Sequence, residues 1–329
     1  MHYYFAPLEG ITGYVYRNAH HKFFPGVDRY YTPFLAPNYT LNFKTKEKKD
    51  VAPENNAGVP LVPQVLSNKA DETLWAVEEL ARLGYREINL NLGCPMPTVA
   101  RKKKGSGLLK FTDELDAYLD GVFEGIARRP SDLPPVRISV KTRLGTDSTQ
   151  EAEALVRIYN RYPISELIVH PRSQKDLYKG KPDLEAFLLV LQNSASPIVY
   201  NGNLYCTEDV DSITQTCRDA GKPIDTVMMG RGFLADPSLA RQCQGGSLVT
   251  RKELEAFHAE LYHQLGETLP GTTVLLNHMK ELWAYMGQLF PEGGKCLKEI
   301  RRAGNRVQYE AAVRVLLSSC RIEKNKAGL

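Results

Sequence analysis

Short strand-like runs alternate with helical segments at a step of roughly 30 residues, the length of one βα unit, and there are eight such runs. That alternation predicts a (β/α)8 TIM barrel. The rhythm stops near Thr250, and the rest reads as amphipathic helix, so a small C-terminal all-helical domain is expected after the barrel. The expected division is residues 1–245 and 246–329.

The runs cover residues 3–9, 29–35, 60–66, 87–93, 136–143, 166–172, 197–203 and 226–232, most of them ended by Gly, Pro or Asn. Between them, 70–84 places Leu74, Val77, Leu80, Ala81 and Leu83 on one helical face. Segment 113–128 does the same with Leu115, Leu119, Val122, Phe123 and Ile126. Segment 151–162 is a third helix. Segment 207–220 opens on Thr207 with Glu208 and Asp209 in its first turn. Segment 36–58 is polar and lysine-rich with little periodicity, so it reads as a long loop. An insertion, 95–111, follows the fourth run. Since βα loops form the catalytic face of a barrel, it is a functional suspect. The C-terminal helices are expected at 251–268, 274–290, 295–303 and 308–319.

The chain has 329 residues, 43% of them hydrophobic and 24% charged, which excludes a disordered, collagenous or simple coiled-coil architecture. A net charge of +4 permits a polyanionic partner without arguing for one. The six cysteines form no C-x-x-C pair and no zinc spacing, so no metal and a reducing, cytoplasmic setting are expected. There is no signal-like N-terminus and no apolar stretch of membrane-spanning length, so no membrane partner is expected.

Chemistry gathers at the C-terminal ends of barrel strands. Those ends hold Pro7-Leu8-Glu9-Gly10, Pro63-Gln64, Asn89 to Cys94, Lys141-Thr142-Arg143, His170-Pro171-Arg172, Asn201-Gly202-Asn203 and Gly230-Arg231-Gly232. Backbone N–H groups at the last two turns suit a phosphate. A lysine in a barrel mouth calls for an anionic partner. Cys94 lies in a Gly-Cys-Pro turn that opens the insertion, where a thiol serves as proton donor or, if nearby charge lowers its pKa, as nucleophile. Arg101, Lys102, Lys103 and Lys104 stand beside it. Lys280, Lys295, Lys298, Arg301, Arg302 and Arg306, interleaved with Trp283 and Tyr285, suit phosphate contacts and base stacking.

Ala6-Pro7-Leu8-Glu9-Gly10-Ile11-Thr12 resembles the opening A-P-M-x-G-[VI]-T of the tRNA-dihydrouridine synthases. Asn89-Leu90-Asn91-Leu92-Gly93-Cys94-Pro95, with Val99 and Gly105-Ser106-Gly107-Leu108-Leu109, resembles their N-x-G-C-P signature. Val140-Lys141-Thr142-Arg143, His170-Pro171-Arg172, Asn201-Gly202-Asn203 and Met229-Gly230-Arg231-Gly232 resemble four further motifs in the same order. Asn277-His278-Met279-Lys280 is similar to the H-x-x-K stretch of the family's helical domain. Leu8 stands where Met is common, and Pro171 with Ser173-Gln174-Lys175 replaces the common Gly-Arg-Thr run.

The resemblance implies FMN in the barrel, NADPH as the usual reductant with NADH the other candidate, and reduction of the uracil C5=C6 bond in tRNA. It implies hydride delivery to C6 and a proton from Cys94 to C5. Pro7, Leu8, Glu9, Gln64, Lys141, His170, Asn201, Gly202, Asn203, Gly230 and Arg231 would hold the cofactor. Asn91, Arg101, Lys102, Lys103, Lys104, Arg143, Arg172 and Lys280 would hold the substrate. The helical domain would bind tRNA, and a monomer is expected. The rival readings are an FMN-dependent reductase or dehydrogenase of free pyrimidines and a non-catalytic RNA-binding protein on a relic barrel.

Overall fold

A computed structural model describes residues 1–129 and 134–326. Its strand segments are β1 (His2–Phe5), β2 (Arg29–Tyr31), β3 (Leu61–Val62), β4 (Gln64–Val65), β5 (Glu87–Leu92), β6 (Arg137–Gly145), β7 (Leu167–Ser173), β8 (Ile198–Tyr200) and β9 (Thr226–Met229). The order in the sheet is β3-β2-β1-β9-β8-β7-β6-β5-β4. The two outermost segments, β3 and β4, are separated in sequence by Pro63 alone. They form one strand that pairs in parallel with β2 through Leu61 and with β5 through Gln64. The sheet therefore closes into the expected eight-stranded barrel. Pro63 has no N–H to donate. It sits where the strand changes partners, and its carbonyl accepts from Asn89 N at 2.9 Å.

The helices are α1 (Tyr14–Phe23), α2 (Thr45–Val51), α3 (Ala70–Arg82), α4 (Pro97–Ala100), α5 (Thr112–Ala127), α6 (Ala152–Tyr159) and α7 (Leu184–Asn193). They continue as α8 (Thr207–Asp219), α9 (Arg231–Ala235), α10 (Leu239–Cys243), α11 (Arg251–Thr268), α12 (Thr272–Met286), α13 (Gly294–Arg302) and α14 (Arg306–Ser319). Segment 36–58 is not loop throughout. It holds α2, whose Asp50 and Val51 are buried, and a 3-10 turn at Pro53–Asn55. Among the described residues no helix is long and apolar enough to cross a membrane.

The chain divides into two compact units. One is Met1–Pro7, Arg29–Gly202 and Ile213–Met228, and the other is Leu8–Asp28, Asn203–Ser212 and Met229–Leu329. In the first, Tyr4, Ala6, Tyr31, Val62, Ile168, Val199 and Met228 form one buried apolar cluster. Side chains alternate faces along a strand, so this layer plugs the bore and sets the next inward residues, Gln64, His170 and Asn201, above it. At the strand starts Arg29 bridges Glu87 at 3.1 Å and Glu166 at 2.8 Å, and the Tyr4 hydroxyl donates to Glu166 at 3.0 Å. This end of the barrel, opposite the βα loops, is closed by paired charge and serves stability.

In the second unit the Phe257 ring takes Tyr16 edge-on at 5.8 Å and Phe24 at 5.0 Å, which packs α1 on α11. The Tyr309 hydroxyl accepts from Trp283 Nε1 at 2.9 Å and meets His258 Nε2 at 2.7 Å. Trp283 is only 3% exposed, which corrects its reading as a base-stacking residue. It belongs to the buried stripe of α12 together with Leu276, Met279 and Met286.

Candidate active site

An amide chain orders the mouth of the barrel unit. Asn91 Oδ1 accepts from the backbone N–H groups of Gly93 at 3.1 Å and Cys94 at 2.9 Å. Its Nδ2 must then donate, and it does so to Gln64 Oε1 at 2.7 Å. Gln64 Nε2 donates to Asn89 Oδ1 at 2.8 Å, and Asn89 Nδ2 donates to Ser139 Oγ at 3.0 Å. Two backbone donors at one end thus fix the orientation of all three amides. The sequence places Asn89 at its strand end without giving it a role, and Ser139 is a member it gives none either. The available signal was two asparagines at alternate positions of strand β5, which is otherwise apolar after Glu87.

The same chain presents Cys94. Its carbonyl accepts from Ser106 N at 3.1 Å and Ser106 Oγ at 2.9 Å, so the insertion folds back over its own start. That return needs glycine at 107, where a Cβ would lie 2.3 Å from the Ala100 carbonyl oxygen. All six cysteines are thiols, and Cys94 is half-buried.

Lys141 pairs in register with Asn91 across β5 and β6. Among the described residues its amine has no hydrogen-bond or ion-pair partner. Burial, followed by the nearby Arg143 charge, pulls its pKa down to about 7, and Cys94 partly opposes this. Burial disfavours the charged form of a lysine, and an anion placed beside it would favour that form again.

Arg143 is 1% exposed. Its Nε donates to the Gly93 carbonyl at 3.0 Å and its Nη1 to the Ser173 carbonyl at 2.8 Å. The guanidinium also lies 5.3 Å from the Tyr178 ring. It therefore ties the Cys94 turn to the loop after β7. Burial, with the Arg172 charge adding to it and Tyr178 opposing, lowers the Arg143 pKa to about 10. Arg172 donates to the carbonyls of Lys179 at 3.1 Å and Gly180 at 2.6 Å, and its Nη1 stands 2.9 Å from His170 Nε2. Guanidinium nitrogens only donate, so His170 Nε2 accepts and the ring proton sits on Nδ1. Asn201 Nδ2 donates to the Met228 carbonyl at 2.8 Å. Gly202 is half-buried, and a Cβ there would fall 2.1 Å from Tyr200 Oη.

The barrel unit thus brings together Gln64, Asn91, Cys94, Lys141, Arg143, His170 and Arg172. Pro7 and Asn201 to Gly202 lie at other strand ends of that unit. Arg101 and Lys102 are exposed. Lys103 is instead paired with Glu114 at 2.6 Å, and Lys104 with Glu72 at 3.4 Å.

Leu8, Glu9, Asn203, Gly230, Arg231 and Lys280 belong to the second unit. There Leu8 N donates to Thr12 Oγ1 at 2.8 Å, and Arg17 Nη1 supports the turn through the Thr12 carbonyl at 2.8 Å. Arg231 Nη2 donates to Asn203 Oδ1 at 2.8 Å. Gly230 precedes α9 as its N-cap. The Lys280 amine donates to the carbonyl of Ala303, the residue that ends α13.

A thiol, an amine with no partner among the described residues, an imidazole and oriented amides above an apolar plug make up a candidate enzyme site in a TIM barrel. Among the described residues no His, Cys, Asp or Glu group could hold a metal ion. The model of the family described as dihydrouridine synthase (Dus) matches residues 4–325. The tRNA-dihydrouridine(16) synthase of Pseudomonas syringae pv. tomato is 30% identical over 246 residues, covering 72% of this chain and 73% of that protein. That of Aquipseudomonas alcaligenes is 26% identical over 313 residues, covering 90% and 94%. The tRNA-dihydrouridine synthase B of Pasteurella multocida is 25% identical over 282 residues, covering 86% and 77%. The chain belongs to the dihydrouridine synthase family and is an oxidoreductase.

Proposed function

We propose that this protein is an FMN-dependent tRNA-dihydrouridine synthase that reduces the C5=C6 bond of uridine in tRNA, with NADPH as reductant. The observation that carries the reading is the Lys141 amine, held in the mouth beside Cys94 with no partner among the described residues. Those residues fit an anionic, flat cofactor, since one cation awaits a negative edge while Gln64 and His170 offer polar atoms above an apolar floor.

In the barrel unit Pro7, Gln64, Lys141, His170, Asn201 and Gly202 would hold FMN. Lys141 would meet the N1/O2 edge, and Asn201 and Gly202 would lie on the phosphate side. In the second unit Leu8, Glu9, Asn203, Gly230 and Arg231 are assigned to the same cofactor by resemblance. When bound, FMN supplies the hydride equivalent that ends on uracil C6.

Cys94 completes the reduction by giving its Sγ proton to C5. Its turn is fixed by Asn91 and Ser106, so the thiol is positioned before substrate arrives. The thiolate left behind is stabilised by the Lys141 and Arg143 charges that interact with it. Asn91 would also hold the uracil. Arg101 and Lys102 would take phosphates, and residues 246–329 would serve as the tRNA-binding domain.

The test is to purify the protein, identify and count its flavin, reduce it with NADPH, and add tRNA, uracil or dihydroorotate. One FMN per chain and re-oxidation by tRNA alone are expected. A colourless protein would point to the relic barrel, and re-oxidation by free pyrimidines would point to the other rival.

A further inference from the structure

The loop after β2 ends in a closed turn whose most hydrophobic residues face water. Asn38 Oδ1 accepts from Thr40 N at 3.0 Å, Thr40 Oγ1 at 2.7 Å and Asn42 N at 3.1 Å. Leu41 is held at φ 51°, a left-handed conformation that is costly for a side chain with a Cβ. Tyr39 is left 89% exposed and Leu41 43% exposed. The turn is anchored, because Phe43 is buried against the Trp75 ring of α3 at 4.8 Å. Directly after it, α2 exposes Lys48 and Lys49, neither of which has a salt-bridge or hydrogen-bond partner for its amine among the described residues.

A fixed turn that displays an aromatic ring, followed in the chain by a helix that exposes cations, suits a partner with flat faces and negative charge. The position suits it too. Loops after barrel strands surround the mouth. The start of α3 holds both this turn and the basic one, since Trp75 carries Phe43, while Glu72 pairs with Lys104 and Asn68 donates to the Lys102 carbonyl at 3.2 Å. The Tyr39 turn and the exposed pair Arg101 and Lys102 therefore lie on the same side of the rim.

We infer that residues 38–49 are an RNA-docking surface of the barrel, on which Tyr39 stacks against an unpaired base and Lys48 and Lys49 take phosphates. The inference rests on the tRNA reading above and adds the second loop to the substrate-binding surface. Stacking is tolerant of sequence and needs only an exposed base. Tyr39 thus grips the RNA away from the reacting uracil, and its loss acts on binding before it acts on chemistry.

The experiment measures tRNA binding and single-turnover dihydrouridine formation for wild type, Tyr39→Ala, Tyr39→Phe and the double variant Lys48→Ala/Lys49→Ala. Tyr39→Ala is expected to weaken tRNA binding by roughly 5- to 150-fold, the range for one base–aromatic stack. Its rate at saturating tRNA, its flavin content and its reduction by NADPH should match wild type. Tyr39→Phe should bind as wild type, because stacking needs no hydroxyl. The double variant should lower the log–log salt slope by about 1.5 to 2, for two lost phosphate contacts. Wild-type affinity in Tyr39→Ala, or an unchanged salt slope in the double variant, overturns the docking surface and leaves the function reading intact. A wild-type protein that binds no tRNA overturns the function reading, and this inference with it.

Discussion

Lys141 carries the most information of any residue in the mouth, because its state depends on what the mouth receives. Burial and the Arg143 charge hold its pKa at about 7, against an ordinary 10.5. A bound anionic cofactor edge favours the charged amine and moves the pKa back up. Cofactor binding by the apoprotein should therefore take up a proton, and affinity should fall as pH rises above about 7. Fluorescence titration of apoprotein with FMN from pH 6 to 9 checks this against Lys141→Ala, which should bind more weakly and lose that part of the pH dependence. An identical pH profile in the variant would remove Lys141 from the cofactor site. The sequence made this residue visible, since a lysine ending an apolar strand has few other uses. It did not reveal the amide chain from Ser139 to Cys94, because asparagine and glutamine carry no charge pattern. Nor did it show that Arg143 and Arg172 direct their donors to loop carbonyls. From sequence, an arginine at a strand end looks the same whether it faces a ligand or a neighbouring loop.

Within the helices, the network of His258 on α11, Trp283 on α12 and Tyr309 on α14 joins three elements through one hydroxyl. Tyr309→Phe leaves the Trp283 N–H and the His258 nitrogen buried without that partner, at about 1–3 kcal/mol for each. Burial also lowers the His258 pKa to about 4 from 6.5. Between these values the unfolded chain binds a proton that the folded one refuses. The contribution is thus fully present above pH 6.5 and is lost as pH falls towards 4, by about 3 kcal/mol at most. Urea unfolding followed through Trp283 in a Trp75→Phe background should show both effects. Equal midpoints for Tyr309→Phe and its parent at pH 7 would count against the network.

The burial of Trp283 was legible in the spacing of Leu276, Met279 and Met286, which places it on the apolar stripe of its helix. The basic residues nearby suggested the other face. The eight strands were legible because parallel barrel strands read as near-continuous apolar runs. Helix α1 was not, since its buried positions include Arg17 and His20, which a search for apolar periodicity passes over. The short α2 was hidden in the same way by Asp50, a buried charge among lysines.

At the scale of the molecule, a net charge of +4 is too small to define a partner, and the exposed cations matter more than the sum. In the barrel unit they include Arg101 and Lys102 on the insertion and Lys48 and Lys49 on α2. In the second unit α13 and the start of α14 expose Lys295, Lys298, Arg301, Arg302 and Arg306. Each unit therefore presents cations suited to RNA phosphates, while the barrel unit holds Cys94.

The central claim is that Cys94 gives the proton that completes uracil reduction, and single-turnover oxidation of the NADPH-reduced protein by tRNA tests it most directly. Cys94→Ala should retain FMN, accept electrons from NADPH and bind tRNA, while dihydrouridine formation slows by roughly 10²–10⁴-fold, the usual contribution of a positioned acid. Alanine at Cys206, Cys217, Cys243, Cys296 or Cys320 should leave that rate close to wild type. A wild-type rate in Cys94→Ala would contradict the account, because the proton would then come from elsewhere.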